Sequence, residues 1–345
     1  MARHRKPADQ VVVVTGASSG VGRAIARAFG AAGAKVALIA RTRVALENAA
    51  AEVEAAGGEA LVLPLDLADA AAVYAAADEV VRRFGRIDTW VNDAMVSVFS
   101  PVTETTPDEY RRVTEVNYLG TVHGTLAALR HMRPADSGVI LQIGSALAYR
   151  SIPLQSAYCA SKFAVRGFTD SLRCELHHDK SNVRLCMLQL PAVNTPQFDQ
   201  VRSRLPNRPQ PVPPIYQPEV IARAALWAST HPRRELWIGG SAIKAIVGAI
   251  FIPGLLDRYL GRVGYSGQQT DQPADPARRD NVDASLGKDP GAHGRFDDRA
   301  RKSSLELWLR MNWRPLGLAA AAVAALATSA VRPASRRPLL RARSG

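Results

Sequence analysis

Short apolar runs recur through the first two thirds of the chain, each separated from the next by a longer stretch with helical spacing. Val11 to Val14 is the first, an all-apolar β-branched run that suits a strand buried on both faces. Lys35 to Ala40, Ala60 to Leu65, Ile87 to Asn92, Val139 to Ser145, Val183 to Leu190 and Glu235 to Gly240 read as further strands. Between them helices are expected at Arg23 to Ala32, Val44 to Ala56, Asp69 to Phe84, Pro107 to Met132, Ser156 to Glu175 and Pro218 to Ser229. Strands and helices alternating from residue 11 to about 240 predict an α/β fold. Its sheet is parallel and doubly wound, with right-handed crossovers and helices on both faces.

Polar positions that break this pattern fall at the carboxyl ends of strands, where ligands bind in open α/β sheets. Thr15-Gly16-Ala17-Ser18-Ser19-Gly20-Val21-Gly22 leads from the first strand straight into a helix. Its glycines allow a tight turn and close backbone approach, and the helix start favours a pyrophosphate. The spacing is Gly-x-x-x-Gly-x-Gly, a departure from the general dinucleotide fingerprint. The second strand ends in Arg41. An acid there would accept the ribose hydroxyls of NAD, whereas a basic residue would pair with the 2′-phosphate of NADP. The third strand ends at Asp66-Leu67, and Asp66 is placed either to bond an adenine edge or to cap the following helix. Asn117 lies inside a helix, where asparagine is mildly unfavourable unless its amide has a task. Ser145 closes the fifth strand. On the next helix Tyr158 and Lys162 are four residues apart and share one face. The ammonium is expected to draw the phenol pKa down from its usual ~10. A phenol tuned this way exchanges a proton with an alcohol or a carbonyl.

Composition sets limits. A chain of 345 residues, 47% hydrophobic, is one large domain or one domain with appendages. Cys159, Cys174 and Cys186 provide neither a disulfide framework nor metal-ligand spacing, so no metal is expected and a cytoplasmic location fits. Residues 1–10 form a basic N-terminal tail with no secretory stretch behind it. The net charge is +13, and from Gly261 to Gly345 fifteen Lys/Arg stand against eight Asp/Glu. No base-contacting aromatic pattern accompanies the charge, so nucleic acid is not an expected partner. Residues 11–261 are expected to form the main domain. Two of its segments would cover a substrate: 191–218, stiffened by Pro206, Pro209, Pro211, Pro213 and Pro214, and the apolar 241–261. Residues 262–304 read as a polar linker. Residues 305–331, with Trp308 and Trp313, read as a helical segment, and 332–345 as a basic tail. Association with a membrane through 305–345, packing on protein and disorder are all open for this end.

With these residues in place the chain resembles the short-chain dehydrogenase/reductase family, in its compact NADP-preferring form with a C-terminal extension. The resemblance rests on Thr15-Gly16-x-x-x-Gly20-x-Gly22, Asp66, Asn92-Asp93-Ala94, Asn117, Ser145, Tyr158-x-x-x-Lys162 and Pro191-x-Val193-x-Thr195, and covers roughly residues 10 to 240. It implies a Rossmann-type sheet and NADP(H) in preference to NAD(H). Tyr158 would donate or accept the proton. Lys162 would lower its pKa and hold the nicotinamide ribose, and Ser145 would orient the substrate oxygen. Asn117 would hold a water linking Lys162 to solvent. Gly16, Ser18, Ser19, Gly20, Val21 and Gly22 would line the cofactor phosphates, and Arg41 would take the 2′-phosphate. Asp66, Leu67, Asn92 and Ala94 would belong to the same cofactor site. Pro191, Val193 and Thr195 would hold the carboxamide end. The implied activity interconverts a secondary alcohol and a ketone, on a small molecule that the apolar walls suggest is hydrophobic, in a homo-oligomer, dimer or tetramer. A non-catalytic NADP-binding sensor or scaffold, and an epimerase or dehydratase using the same site, are the alternatives. Two departures stand out. The family's Asn-Asn-Ala-Gly is Asn92-Asp93-Ala94-Met95 here, which adds charge and bulk, and Pro191-Ala192 replaces the common Pro-Gly.

Overall fold

In the computed structural model, which describes residues 5–313, the apolar runs pair into one seven-stranded sheet. Its strands are β1 (Val11–Thr15), β2 (Lys35–Ala40), β3 (Glu59–Pro64), β4 (Thr89–Asn92), β5 (Val139–Ser145), β6 (Arg184–Leu190) and β7 (Glu235–Trp237). All neighbours are parallel, in the order β7-β6-β5-β4-β1-β2-β3. The valines of β1 are at most 1% exposed, as a strand covered on both faces requires. The order reverses between β1 and β4, and at such a switch point an α/β sheet opens a crevice outside its carboxyl ends.

Helices α1 (Gly20–Ala31), α2 (Arg43–Ala55), α3 (Ala70–Phe84), α4 (Pro107–Val113), α5 (Gly120–Met132), α6 (Ser156–His178) and α7 (Pro218–Thr230) cover the sheet. On one face Val73 and Val80 of α3 and Ala127, Ala128 and Met132 of α5 pack on Ile39, Trp90 and Ile140. On the other, α1 lies against α2 and α7. The helix expected from Pro107 to Met132 is not continuous. A π-helical stretch, Thr114–Leu119, separates α4 from α5 and contains Asn117. The Asn117 amide is pinned there to the backbone of Val96, twenty-one residues earlier, accepting from its N–H at 2.8 Å and donating to its carbonyl at 3.0 Å.

Beyond β6 the expected proline-stiffened flap is held by pairing instead. Arg202–Ser203 pairs with Val98–Phe99, Asn207–Pro209 with Gln269–Pro273, and Ile215–Tyr216 with Ala192–Val193 and Ala300–Arg301. Two of those partners lie in residues 262–304, so this segment is not the linker its composition suggests. It folds onto the body, with Val282 and Phe296 at 0% and 2% exposure. Helices α8 (Gly240–Phe251) and α9 (Pro253–Val263) precede it. Residues 305–313 are helical, and a separate unit begins at Trp308. The remainder of the expected helical segment and the basic tail 332–345 lie outside the described residues. Among the described residues no helix is long and apolar enough to cross a membrane.

Candidate active site

A cleft of about 680 Å³ opens at the carboxyl ends of the strands. Its inner end is the glycine turn. Gly16 (φ +72°) and Gly20 (φ +55°) adopt left-handed conformations that favour glycine. A Cβ on Gly16 would stand 2.9 Å from the Ala94 backbone, and one on Gly22 would stand 2.4 Å from the Gly16 carbonyl. Thr15 fastens the turn to the loop after β4: its hydroxyl donates to the Val91 carbonyl and accepts from the Asp93 N–H at 3.0 Å. Gly16, Ser18, Ser19, Gly20 and Val21 line the cleft, while Gly22 sits behind and supplies room for the turn.

Arg41, Asp66 and Leu67 line the far end of the same cleft. Of the two readings for Asp66, the helix cap belongs to another residue, since Asp69 accepts from Ala72 N–H at the start of α3. Asp66 instead accepts from Ala68 N–H and pairs with Arg112. Burial alone would raise its pKa, but these two partners outweigh it and hold the carboxylate below its ordinary value.

Ala94 reaches the cleft but Asn92 does not. The Asn92 amide turns toward α5, accepting from Trp90 Nε1 at 2.8 Å and donating to Thr125 and Gln142. Gly124 leaves the space for it, because a Cβ there would fall 2.4 Å from Asn92 Oδ1. The side chain expected at the cofactor is therefore a buried structural amide. Its neighbour Asp93 takes the opposite side of the chain and enters the cleft. Pro191, Val193 and Thr195 line the cleft across from the turn, and the Thr195 side chain lies beside Gly20.

Ser145, Tyr158 and Lys162 meet in the middle of the cleft. Ser145 Oγ accepts from Leu147 N–H at 3.1 Å and is hydrogen-bonded to the Tyr158 hydroxyl. Lys162 Nζ donates to the Ile143 carbonyl at 2.7 Å and lies 5.6 Å from the centre of the Tyr158 ring. The expected fall in the tyrosine pKa does not occur: burial pushes the phenol up, and the Ser145 hydrogen bond recovers only part of that rise. Asp93 is the acid whose charge acts on Lys162, without an ion-pair contact between them. Burial raises the Asp93 pKa and lowers that of Lys162, while their mutual attraction opposes both shifts. The Gly22 N–H also bonds Asp93. Asn117 lies next to this group with both amide hydrogens in use, on the Val96 carbonyl and on Ser161 Oγ. A water held for Lys162 would therefore need a partner other than this amide nitrogen, whose two hydrogens are already donated. No cluster of side chains among the described residues is arranged to bind a metal.

The outer half of the cleft is apolar. Leu147, Ile152, Phe198, Val212, Tyr259 and Val263 contribute to it, so both expected covering segments take part. Sequence reasoning missed two features. One is the Asp93–Lys162 attraction, for which the departure at position 93 was the only signal. The other is a wall supplied by Asn281, Ser285, Leu286, Lys288 and Pro290, hidden in a stretch of linker-like composition.

Residues 10–206, more than half of the chain, match the family described as short chain dehydrogenase. The chain belongs to the short-chain dehydrogenase/reductase family. An uncharacterised oxidoreductase of Bacillus subtilis (strain 168), YxnA, is 34% identical over 326 residues, 93% of this chain and 90% of its own. The human dehydrogenase/reductase SDR family member 7 is 43% identical over 172 residues, 49% of this chain and 51% of its own. Two solved structures share the fold. One is an alcohol dehydrogenase from the archaeon Thermococcus sibiricus complexed with 5-hydroxy-NADP (29% identity, TM-score 0.58, 66% of this chain and 95% of that one). The other is a metagenomic short-chain oxidoreductase in complex with NADP (31% identity, TM-score 0.56, 66% and 96%). As a short-chain dehydrogenase/reductase, the chain is an NAD(P)-dependent oxidoreductase acting on CH–OH groups. Both solved neighbours are used almost whole, yet a third of this short-chain dehydrogenase/reductase has no counterpart in them.

Proposed function

We propose that this protein is an NADP(H)-dependent oxidoreductase that interconverts a secondary alcohol and a ketone on a hydrophobic small molecule. The observation that carries the proposal is the convergence of Ser145, Tyr158 and Lys162 between an apolar outer cleft and a glycine-lined inner one that ends at Arg41. The residues present fit the dinucleotide: Gly16 and Gly22 let the turn pack tightly on Ala94 and on itself, so that Gly16, Ser18, Ser19, Gly20 and Val21 face the cleft, and Arg41 at the end of β2 stands where no acid competes for a ribose. The names of two solved neighbours, one bound to NADP and one to 5-hydroxy-NADP, support the same choice.

When bound, the cofactor supplies or accepts the hydride. Arg41 would pair with the 2′-phosphate, and the amides at the start of α1 beyond Gly20, whose N–H is given to the Gly291 carbonyl, would face the other phosphates. Tyr158 gives its proton to the carbonyl oxygen in reduction and recovers it in oxidation. Ser145 holds that oxygen through its hydroxyl. Lys162 would keep a positive charge beside the ring and offer a donor at the ribose. Burial keeps the phenol protonated at neutral pH, which is the state that reduction needs. The working location is the cytoplasm, in a homo-oligomer, with membrane association through 305–345 as a separate element of the proposal.

The test is NADPH oxidation over a panel of hydrophobic ketones with the wild type and Tyr158→Phe. Turnover by the wild type and a loss of about a hundredfold or more in the variant, with NADPH binding retained, is expected. No turnover of any carbonyl or alcohol, or equal activity in the variant, overturns the proposal.

A further inference from the structure

Residues 265–304 cross the body at several anchored points. Gln269–Pro273 adds to Asn207–Pro209, and Ala300–Arg301 adds to Ile215–Tyr216. Phe296 is buried with its ring edge-on to Phe198 at 5.9 Å. Gly294 lies so close to Thr195 that a Cβ would fall 2.4 Å from the Thr195 carbonyl. Between these anchors, residues 281–291 pass over the adenosine end of the cleft. At one end of this stretch Arg41 donates to the carbonyls of Asn281, Val282 and Asp283, and Arg112 donates to the Val282 carbonyl at 3.0 Å. At the other end the Gly20 N–H donates to the Gly291 carbonyl at 3.2 Å. Asp289 is latched from outside the cleft: it pairs with Arg23, whose side chain is 4% exposed, and accepts from Asn48 Nδ2 at 2.8 Å. Ser285, Leu286, Lys288 and Pro290 then face the same cavity as Ser18, Ser19, Arg41 and Thr42, with the space of the cleft between the two sets.

We infer that residues 281–291 are a strap that roofs the dinucleotide site, and that Lys288 is a specificity-determining residue that joins Arg41 on the 2′-phosphate. The inference rests on the NADP(H) reading of the cleft. The glycine turn has only Ser18 and Ser19 at the place where a second cation would be useful, so one cation is left to meet a dianionic phosphate. Lys288 brings the second from across the cleft. Its neighbour Asp289 is committed to Arg23 and Asn48, so it does not neutralise Lys288. A strap tied at both ends also puts a barrier on exchange: the cofactor leaves only when the Asp289 latch and the Arg41 contacts open. The two solved neighbours, matched over nearly their whole length, use only 66% of this chain, so a roof of this kind is outside what they need to bind a cofactor.

The test uses the full chain, with NADPH and NADH as probes followed by fluorescence titration and by stopped-flow displacement. Lys288→Gln changes an exposed side chain and is expected to melt with the wild type. It should weaken NADPH binding about five- to tenfold and NADH binding less than twofold. Asp289→Ala should speed NADPH release at least fivefold. Equal losses for the two cofactors in Lys288→Gln, or no loss, overturn the assignment of Lys288. Release that is unchanged in Asp289→Ala, or NADPH binding that becomes tighter, overturns the roof. A wild type that binds neither cofactor defeats the NADP(H) reading itself, which separates that failure from the failure of the strap.

Discussion

Asp93 is the sharpest departure in the site, and replacing it by the residue usual in the family tests the electrostatics directly. Asp93→Asn is isosteric, and the new side-chain carbonyl can still accept from the Gly22 N–H. Burial raises the Asp93 pKa from 3.8 to about 7. Between those values the unfolded chain has released this proton and the folded chain has not. Wild-type stability therefore falls as pH rises, by about 1.4 kcal/mol per pH unit for a full shift. Asparagine titrates in neither state, so the variant gains on the wild type over the same window. Asp93 also supports the charge of Lys162, so the variant loses that attraction and its net gain over this window is smaller than the Asp93 shift alone would give. Asp93 lines the cleft and is only partly enclosed, so solvent screening reduces the effect further. The assay is urea or thermal unfolding of both proteins, without cofactor, at pH 5 and pH 8. The stability of the variant relative to the wild type should rise from pH 5 to pH 8. A difference that does not change with pH, or one that shifts toward the wild type from pH 5 to pH 8, refutes the reasoning.

Arg41→Ala should weaken NADPH binding about tenfold and leave NADH binding within about twofold, read by fluorescence titration; equal losses would remove the 2′-phosphate from Arg41. The raised pKa of Tyr158 predicts a carbonyl-reduction rate that holds steady from pH 6 to pH 8 and an alcohol-oxidation rate that climbs through the same range; reduction that declines across it contradicts a protonated phenol as the acid. Phe296→Ala should cost roughly 2–3 kcal/mol, at or below the low end for buried phenylalanine because the cluster is peripheral, and should open residues 281–301 to protease before the sheet unfolds. Fractionation of cells carrying the chain with and without residues 305–345 decides the membrane question, since equal recovery of both forms in the soluble fraction removes that segment as an anchor.

The sheet was legible because its strands are buried on both faces. Runs such as Val11–Val14 and Val139–Leu141 have no polar face to confuse with a helix, and each leads to a polar residue, Thr15 or Ser145, at the strand's carboxyl end. Tyr158 and Lys162 were legible as a pair because helical spacing alone puts both on one face. What that spacing does not encode is direction along the side chains. Lys162 turns to the Ile143 carbonyl, so its effect on the phenol is weaker than a simple ion-pair argument predicts. Asn92 was misassigned for a related reason. Adjacent residues in an extended chain face opposite sides, and Gly124 makes room for the amide on the side away from the cleft. The π-helical stretch around Asn117 coincides with a contact to Val96 twenty-one residues away, which no local pattern announces.

Residues 262–304 were the least legible, and the cause is chemical. Their composition is polar, and polar composition is usually a sign of segments that bury too little to fold. Here much of the charge is matched by the body. Arg202 pairs with Asp280 and Asp283, Arg23 with Asp289, and Arg295 with Asp199. These pairs are partly buried, so the cost of desolvating them offsets much of their attraction. Their effect here comes from being spaced along a chain whose few apolar residues, Val282 and Phe296, are already seated in the body. The apolar seats fix where the strap lies, and the ion pairs fix its register over the cleft. Such a device is weak enough to open and specific enough to close in one place, and a binding site that must exchange its cofactor needs both properties. A composition average erases the pattern that creates it, because the average counts charges without knowing which arginine faces which aspartate.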